Sequence, residues 1–126
     1  MLEISAIDHI NLNVKDLKKT IVFYQRLFGF EIKEEGVREG APYAIIGSNK
    51  RAFLALYESQ EFNLDGFVNH FGFHIENFEE IMPTLIEQKV EYLYGGPYAY
   101  EKSRSVYIID PNGIEIELSE KFGGDL

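Results

Sequence analysis

The sequence contains no cysteine and no tryptophan, and only 4 of its 126 residues are proline. Without cysteine, the protein has no disulfide, no catalytic thiolate and no cysteine-bound metal, so any metal ion must be bound by histidine and carboxylate side chains. No segment approaches the roughly 18 consecutive apolar residues of a membrane span. The start of the chain, residues 1–5, lacks the basic and apolar regions of a signal peptide. We therefore expect a cytoplasmic protein.

Basic residues are also scarce, because 12 Lys and Arg stand against 21 Asp and Glu and give a net charge of −9. This balance argues against nucleic-acid binding and against binding to an anionic membrane surface. Apolar residues make up 45% of the chain and include 10 Phe and 8 Tyr, which is enough for the core of one ordinary domain. We expect a protein whose partner is a small molecule or a cation.

The chain contains two copies of one pattern, and residues 68–78 repeat residues 7–17 with an offset of 61. In each copy, alternating apolar residues predict a half-buried strand that ends at a helix N-cap residue. Helical spacing follows, and the first helix is predicted to end at Gly29. Pro83 lies within the second helical stripe and predicts an irregular first turn or a late helix start.

The second half of each copy matches as well, with an offset of 62, and both segments are typical of β-hairpins. We therefore predict an α+β fold of two paired βαβββ modules, each with a curved mixed sheet. The modules are expected to span about residues 5–58 and 66–119 of a single domain that covers residues 1–126. One module alone buries too little surface to be comfortably stable, so the two are expected to pair.

Strand alternation sorts the polar side chains onto one face of each predicted sheet. His9 and Asn11 share this face in the first strand, His70 and His74 share it in the fifth, and Glu117 lies on it in the last strand. Two imidazoles and one carboxylate form a facial metal site that leaves positions open for substrate. We interpret His9, His70 and Glu117 as the ligands of one divalent metal ion.

The position that matches Glu117 in the first copy is Ala55, so a fourth symmetric ligand is missing. Phe53 and Tyr57 share the face of Ala55 and are predicted to give the cavity an apolar side that suits a small organic substrate. Lys102 and Arg104 are the cations that we expect to reach a substrate anion.

Other polar residues on these faces have two interpretations each. His74 is either a catalytic base or an ordinary strand histidine, and Asn11 either orients the substrate or binds water. Tyr107 is predicted to face the cavity, although tyrosine is also a common strand residue.

The chain resembles the vicinal oxygen chelate superfamily, the group of glyoxalases, bleomycin-resistance proteins and dioxygenases, over about residues 5–119. The motifs that carry this resemblance are residues 8–14, 23–24, 27–30, 69–71 and 110–117. The resemblance implies paired βαβββ modules, a homodimer, and one divalent ion per site (Fe, Mn, Zn, Ni or Co). It assigns the metal positions to His9, His70 and Glu117. Domain exchange is common in the family, so the site lies within one chain or is shared between two.

Ala55 departs from glyoxalase I, which has a glutamate ligand at that position. Members with three ligands include extradiol dioxygenases and fosfomycin-resistance enzymes. The first interpretation is a metal-dependent lyase or dioxygenase, in which His74 and Tyr107 are the candidate catalytic residues. One alternative is a binding protein without catalysis, similar to bleomycin-resistance proteins.

The other alternative is a transferase similar to the fosfomycin-resistance enzymes. Ser105 and Tyr107 match the Ser-x-Tyr strand of those enzymes, and Tyr43 corresponds to their substrate tyrosine. Pro97 and Glu101 depart from the pattern at positions that contact phosphonate and potassium in those enzymes. Asn11, Tyr43, Phe53, Tyr57, Arg104 and Ser105 complete the predicted substrate-binding set.

Overall fold

The protein is described by a computed structural model that covers residues 1, 3, 7, 9–61, 70–101 and 103–121. The chain divides into two compact units, Met1–Phe62 and Asn63–Leu126. Each unit contains one four-stranded mixed sheet and helical segments, which confirms the predicted fold class. The predicted starts of the two modules, at about residues 5 and 66, lie outside the described residues. In the described part of the chain, no helix is long and apolar enough to cross a bilayer.

The first unit follows the predicted order of strand, helix and three strands. Its sheet has the order β1-β4-β3-β2, with β1 parallel to β4 and the other neighbours antiparallel. The elements are β1 (Ile10–Val14), α1 (Leu17–Phe28), β2 (Glu31–Arg38), β3 (Ala41–Gly47) and β4 (Ala52–Glu58).

Helix α1 has the predicted signals at both ends. The Asp16 side chain accepts a hydrogen bond from the Lys19 backbone N–H at 3.0 Å, which satisfies one of the free donors of the first turn. Gly29 ends the helix with a φ of 66°, a left-handed conformation that costs glycine little. Ile21 and Tyr24 are among the helix residues buried in the core of this unit.

The second unit repeats this order, and its sheet has the order β5-β8-β7-β6. A 3₁₀ turn precedes its helix, so the late helix start predicted from Pro83 is confirmed. Asn77, which the repeat predicts as a cap because it matches Asp16, does precede the 3₁₀ turn, but its side chain makes no capping hydrogen bond. The elements are β5 (His70–His74), the 3₁₀ turn (Phe78–Glu80), α2 (Ile81–Glu87), β6 (Tyr98–Ala99), β7 (Arg104–Ile109) and β8 (Glu115–Ser119).

The strand registers agree with the offset predicted from the sequence. In the first unit Asn11 of β1 lies opposite Ala55 of β4, and in the second unit Gly72 of β5 lies opposite Glu117 of β8. Ala55 and Glu117 therefore occupy equivalent positions in the two sheets. Each position is on the central strand β4 or β8, on the face opposite the one that packs against the helix.

Candidate metal and substrate site

In the second unit, Glu117 is a buried carboxylate, only 8% exposed, with a partner at each oxygen. The Ser105 hydroxyl donates a hydrogen bond of 2.6 Å to its Oε1, and Nε2 of His70 lies 3.2 Å from its Oε2. Strand β8 lies between β5 and β7, so its neighbours supply these two partners. An imidazole nitrogen and a carboxylate oxygen in contact on one sheet face are a donor set that suits a divalent metal ion.

Tyr107 lies directly opposite Glu117 in the β7–β8 ladder. Its ring packs edge-on against the His70 ring with centroids 6.0 Å apart, and its hydroxyl lies 2.6 Å from the Tyr100 hydroxyl. Burial raises the pKa of Tyr107, and the hydrogen bond to Tyr100 and the negative charge of Glu117 raise that pKa further. The phenol therefore stays protonated at neutral pH and is available as a hydrogen-bond donor.

A cavity of about 350 Å³, which we call the tyrosine cavity, opens beside these residues. Tyr94 closes part of its wall, because its hydroxyl donates to the two carboxylate oxygens of Glu115 at 3.0 and 3.1 Å. The sequence did not single out Tyr94, Tyr98 or Tyr100 as site residues, although the Gly- and Tyr-rich loop 95–104, which contains Tyr98 and Tyr100, is predicted to cover a site. The lining consists of His70, Tyr94, Tyr98, Tyr100, Tyr107 and Glu115.

The first unit has a larger cavity of about 530 Å³, which we call the arginine cavity. Three predicted site residues, His9, Asn11 and Tyr57, line this cavity. Ala55, the position equivalent to Glu117, lines it as well. Ala55 therefore shares a cavity with the predicted ligand His9. The full lining is His9, Asn11, Arg38, Ile45, Arg51, Ala52, Ala55 and Tyr57.

Tyr43 is buried beside this cavity and stacks on the ring of Tyr57, with centroids 5.5 Å apart. The Tyr43 hydroxyl donates to Oε1 of Glu34 at 2.5 Å. This hydrogen bond is the main reason that the pKa of Tyr43 is raised. Tyr43 is thus held in place through Glu34 and Tyr57.

The substrate contact predicted for Phe53 stays a prediction. A bulge shifts the β3–β4 register, so that Gly47 lies opposite Ala52 rather than Phe53. The Phe53 ring stacks on Phe30, with centroids 5.5 Å apart and an angle of 16° between the rings, and Ala52 lines the cavity instead. Strict alternation along the strand predicted Phe53 in the cavity, and the extra residue of the bulge breaks that alternation.

The predicted substrate contact of Arg104 has no support in the geometry, and Lys102, the other cation predicted to reach a substrate anion, lies outside the described residues. The Arg104 guanidinium lies 4.5 Å from the ring centre of Phe78. It also pairs with both Glu79 and Glu120 at 2.7 Å. Arg104 holds the pKa of Glu120 down at about 2. Because strand residues alternate, Arg104 lies on the face opposite Ser105 and Tyr107, and we assign it a structural role.

His74 is exposed at the end of β5, opposite Ser119 and on the same face as His70. Its catalytic role stays a prediction. His9 belongs to the first unit, and His70 and Glu117 belong to the second. Among the residues that the structure describes, no three His, Asp or Glu side chains of one chain form a group able to hold a metal ion. The three-ligand set therefore stays a prediction too.

Known proteins resemble the chain over most of its length. It is 29% identical to a metallothiol transferase FosB of Staphylococcus epidermidis, over 93% of this chain and 82% of the relative. The structure matches a glyoxalase/bleomycin-resistance/dioxygenase domain from Frankia sp. EAN1pec with a TM-score of 0.81 and 16% identity, covering 97% and 96% of the two chains.

A third similar protein is the fosfomycin-resistance protein FosX of Listeria monocytogenes. Its monoclinic crystal form matches with a TM-score of 0.74 and 26% identity over 92% of this chain and 93% of that chain. The FosB relative is a transferase, so the comparisons favour the transferase alternative over the lyase or dioxygenase that the sequence ranked first.

A family profile matches residues 6–118, nearly the whole chain. The predicted resemblance is therefore confirmed, and the profile covers both units with their equivalent registers. The chain belongs to the Glyoxalase/Bleomycin resistance protein/Dioxygenase superfamily.

Proposed function

We propose that the protein is a divalent-metal-dependent transferase of the fosfomycin-resistance type, which joins a thiol to a small oxygen-bearing electrophile. One observation carries the proposal: the buried Glu117 carboxylate contacts both Ser105 and His70 beside the tyrosine cavity. Ser105 and Tyr107 are also the two residues that match the fosfomycin-resistance strand. The similarity to a metallothiol transferase and to FosX supports this choice of reaction class.

We propose that His9, His70 and Glu117 hold the metal ion. The residues fit such an ion, since Glu117 and His70 already form a mixed oxygen and nitrogen donor pair at 3.2 Å. A FosX crystal structure with bound Mn(II) makes manganese the first metal to test. When bound, the metal ion supplies electrophilic activation of a substrate oxygen. Ser105 orients Glu117 through its hydrogen bond of 2.6 Å, which fixes the carboxylate for coordination.

The other site residues take roles that follow from their environment. Tyr107 is proposed to donate a hydrogen bond to the substrate oxygen, because it lines the tyrosine cavity directly opposite Glu117. Asn11 and Tyr57 line the arginine cavity and are proposed to orient the bound molecules. Tyr43 stabilises that arrangement through its ring contact with Tyr57.

His74 is our candidate for the base. The thiol gives its proton to the imidazole, the sulfur bonds to a carbon of an epoxide as the carbon–oxygen bond breaks, and the proton returns to the released oxygen through water. The exposure of His74, on the same sheet face as His70, supports access for the thiol.

We further propose a homodimer whose two copies complete each metal site. Domain exchange is common in the superfamily to which the chain belongs, so sharing between two copies is the arrangement to test. Mixing the two variants His9→Ala and Glu117→Ala tests this arrangement. If the site is shared, each mixed dimer has one site that lacks both substituted ligands and one site that keeps all three. Recovered metal binding in the mixture supports sharing, and no recovery contradicts it.

The activity test uses the full chain loaded with Mn(II) under anaerobic conditions, with fosfomycin and L-cysteine as substrates. We expect consumption of the thiol and formation of an adduct, detected by phosphorus NMR and mass spectrometry. Glu117→Gln should abolish the reaction, and the control Glu35→Gln, an exposed residue of β2, should leave it unchanged. A metal-loaded protein that forms no adduct contradicts the transferase assignment.

A further inference from the structure

Two arginines converge on the arginine cavity of the first unit. Arg38 and Arg51 both line it, although the chain as a whole has only 12 basic residues against 21 acidic ones. By contrast, Glu115 is the one Asp, Glu, Lys or Arg in the lining of the tyrosine cavity. Of these two cavities, the arginine cavity is therefore the one that offers positive charge to a ligand.

Both guanidinium groups are ordered by aromatic rings and neutral acceptors. Arg38 lies 4.6 Å from the ring centre of Tyr43 and donates a hydrogen bond of 3.0 Å to the Tyr57 hydroxyl. Arg51 lies 5.2 Å from the ring centre of Phe53 and donates a hydrogen bond of 2.9 Å to the Ile7 carbonyl. Ordered guanidiniums lose less conformational entropy when they bind an anion, and their planar fork fits carboxylate and phosphonate groups.

Glu34 is an acidic neighbour of Arg38. Its Oε1 lies 3.7 Å from Nη2 of Arg38, beyond hydrogen-bonding distance, and it accepts the Tyr43 hydroxyl at 2.5 Å. The Arg38 side chain is 57% exposed, so a ligand can approach it from solvent. Glu34 weakens the positive field at Arg38 without covering it.

The rest of the cavity lining sets the shape of the ligand. Ile45, Ala52 and Ala55 provide an apolar surface, and Asn11 adds a neutral polar group. A cavity that combines apolar surface with two cations suits an organic anion with a short apolar part.

We propose that the arginine cavity binds the anionic group of a small organic ligand, a carboxylate or a phosphonate, through Arg38 and Arg51. The identity of the anion rests on the proposed function. In a thiol transferase the anion belongs either to the electrophilic substrate or to the thiol. The two sources share one chemistry, and two probes separate them.

Titration calorimetry on the metal-free full chain tests the proposal with propylphosphonate, (propylthio)acetate and the uncharged reference 1-pentanol. We expect at least one anion to bind about tenfold more tightly than pentanol, with an affinity that falls as salt is added. Stronger binding of propylphosphonate assigns the anion to the substrate, and stronger binding of (propylthio)acetate assigns it to the thiol.

Arg38→Gln and Arg51→Gln should each weaken binding of the preferred anion about tenfold, as expected for loss of a charge-assisted contact. The matched control is Arg26→Gln on helix α1, which should bind as the wild type does. Equal binding of anions and pentanol, or unchanged binding in both cavity variants, overturns the proposal. Because the protein is free of metal, such a failure leaves the test of thiol transfer unaffected.

Discussion

The two units have the same strand order and equivalent registers, but they carry different chemistry at equivalent positions. At the centre of the second sheet, Glu117 contacts Ser105 and His70. At the same place in the first sheet, Ala55 lies opposite Asn11 and Ile45 and leaves open space in the arginine cavity. The repeated fold therefore supplies two similar sheet faces, and one equivalent position decides which face carries the carboxylate that we propose as a metal ligand.

The cavities differ in the same way. The arginine cavity combines two guanidinium groups with aliphatic surface, whereas the tyrosine cavity has four phenol rings and Glu115. A symmetric pair of cavities would offer the same contacts twice. The asymmetry suits a reaction between two different molecules, as in a transferase.

The first unit has a bulge beside Gly47 between β3 and β4, whereas the β7–β8 ladder of the second unit has a regular register. Substitution of Gly47 is expected to have the largest effect on stability. A Cβ at position 47 would overlap the backbone of Arg51 and Ala52, which cannot move without shifting β4. Gly47→Ala should lower the free energy of unfolding by about 3 kcal/mol, measured by urea denaturation. The matched control in the other sheet is Gly72→Ala, whose Cβ would lie 3.4 Å from the Glu117 carbonyl oxygen. If the two variants have the same free energy of unfolding, the backbone of Arg51 and Ala52 does not exclude a side chain at position 47.

Replacing Glu117 by alanine gives the second unit the residue that the first unit has at the equivalent position, Ala55. Glu117→Ala should weaken Mn(II) binding by about a hundredfold or more, because one of the three proposed ligands is lost. Equilibrium dialysis measures the change. Glu115→Ala is the control, since it removes the same charge from the same face of β8, two residues away. Equal losses in the two variants would indicate a general charge effect and not coordination by Glu117.

Adding a carboxylate to the first unit sharpens the comparison in the opposite direction. Ala55→Glu places a fourth potential ligand in the cavity that His9 lines. We expect metal binding about tenfold tighter, together with loss or change of the native reaction, because one open coordination position is filled. Ala55→Leu adds bulk without a ligand and should leave metal affinity nearly unaltered. If the Glu variant binds metal no more tightly than the Leu variant, Ala55 does not reach the metal.

The smallest expected effect concerns the ion pair on the helix side of the second sheet. Arg104 lowers the pKa of Glu120 from 4.5 to about 2, so the pair stabilises the folded protein above pH 4.5 and loses this contribution as pH falls through about 2. Arg104→Met should therefore reduce stability slightly at pH 7, and the difference should shrink between pH 4.5 and 2. Thermal unfolding across this range measures it, with Arg26→Met as control. A difference that does not depend on pH would assign the effect to the contact of Arg104 with Phe78.

The fold could be predicted because it depends on patterns that local physics enforces. Alternating apolar residues, the Asp16 cap and the Gly29 stop define β1 and α1, and the offset of the repeat matches the observed registers. The observed surroundings of Phe53 and Arg104 differ from the expectation for two separate reasons. A bulge changes which face Phe53 takes, and strand parity places Arg104 away from Ser105, so proximity in sequence to a site residue was misleading.

The chemistry of the site could be predicted only in part. The contact between His70 and Glu117 depends on the pairing of β5 with β8, and the repeat indicated that pairing. The tyrosine cavity depends on Tyr94 and Tyr100, which come from an irregular segment without periodicity. Patterns of strands and helices do not predict the position of such side chains.

The central proposal is that His9, His70 and Glu117 hold one divalent metal ion. The most direct test is the metal content of the full chain, measured by elemental mass spectrometry. The protein is first loaded anaerobically with Mn(II), and unbound ions are removed by gel filtration. We expect one manganese ion per chain. This ion should not exchange with magnesium from the buffer. A protein that stays free of metal after loading with manganese, iron, zinc, nickel and cobalt in turn would contradict it.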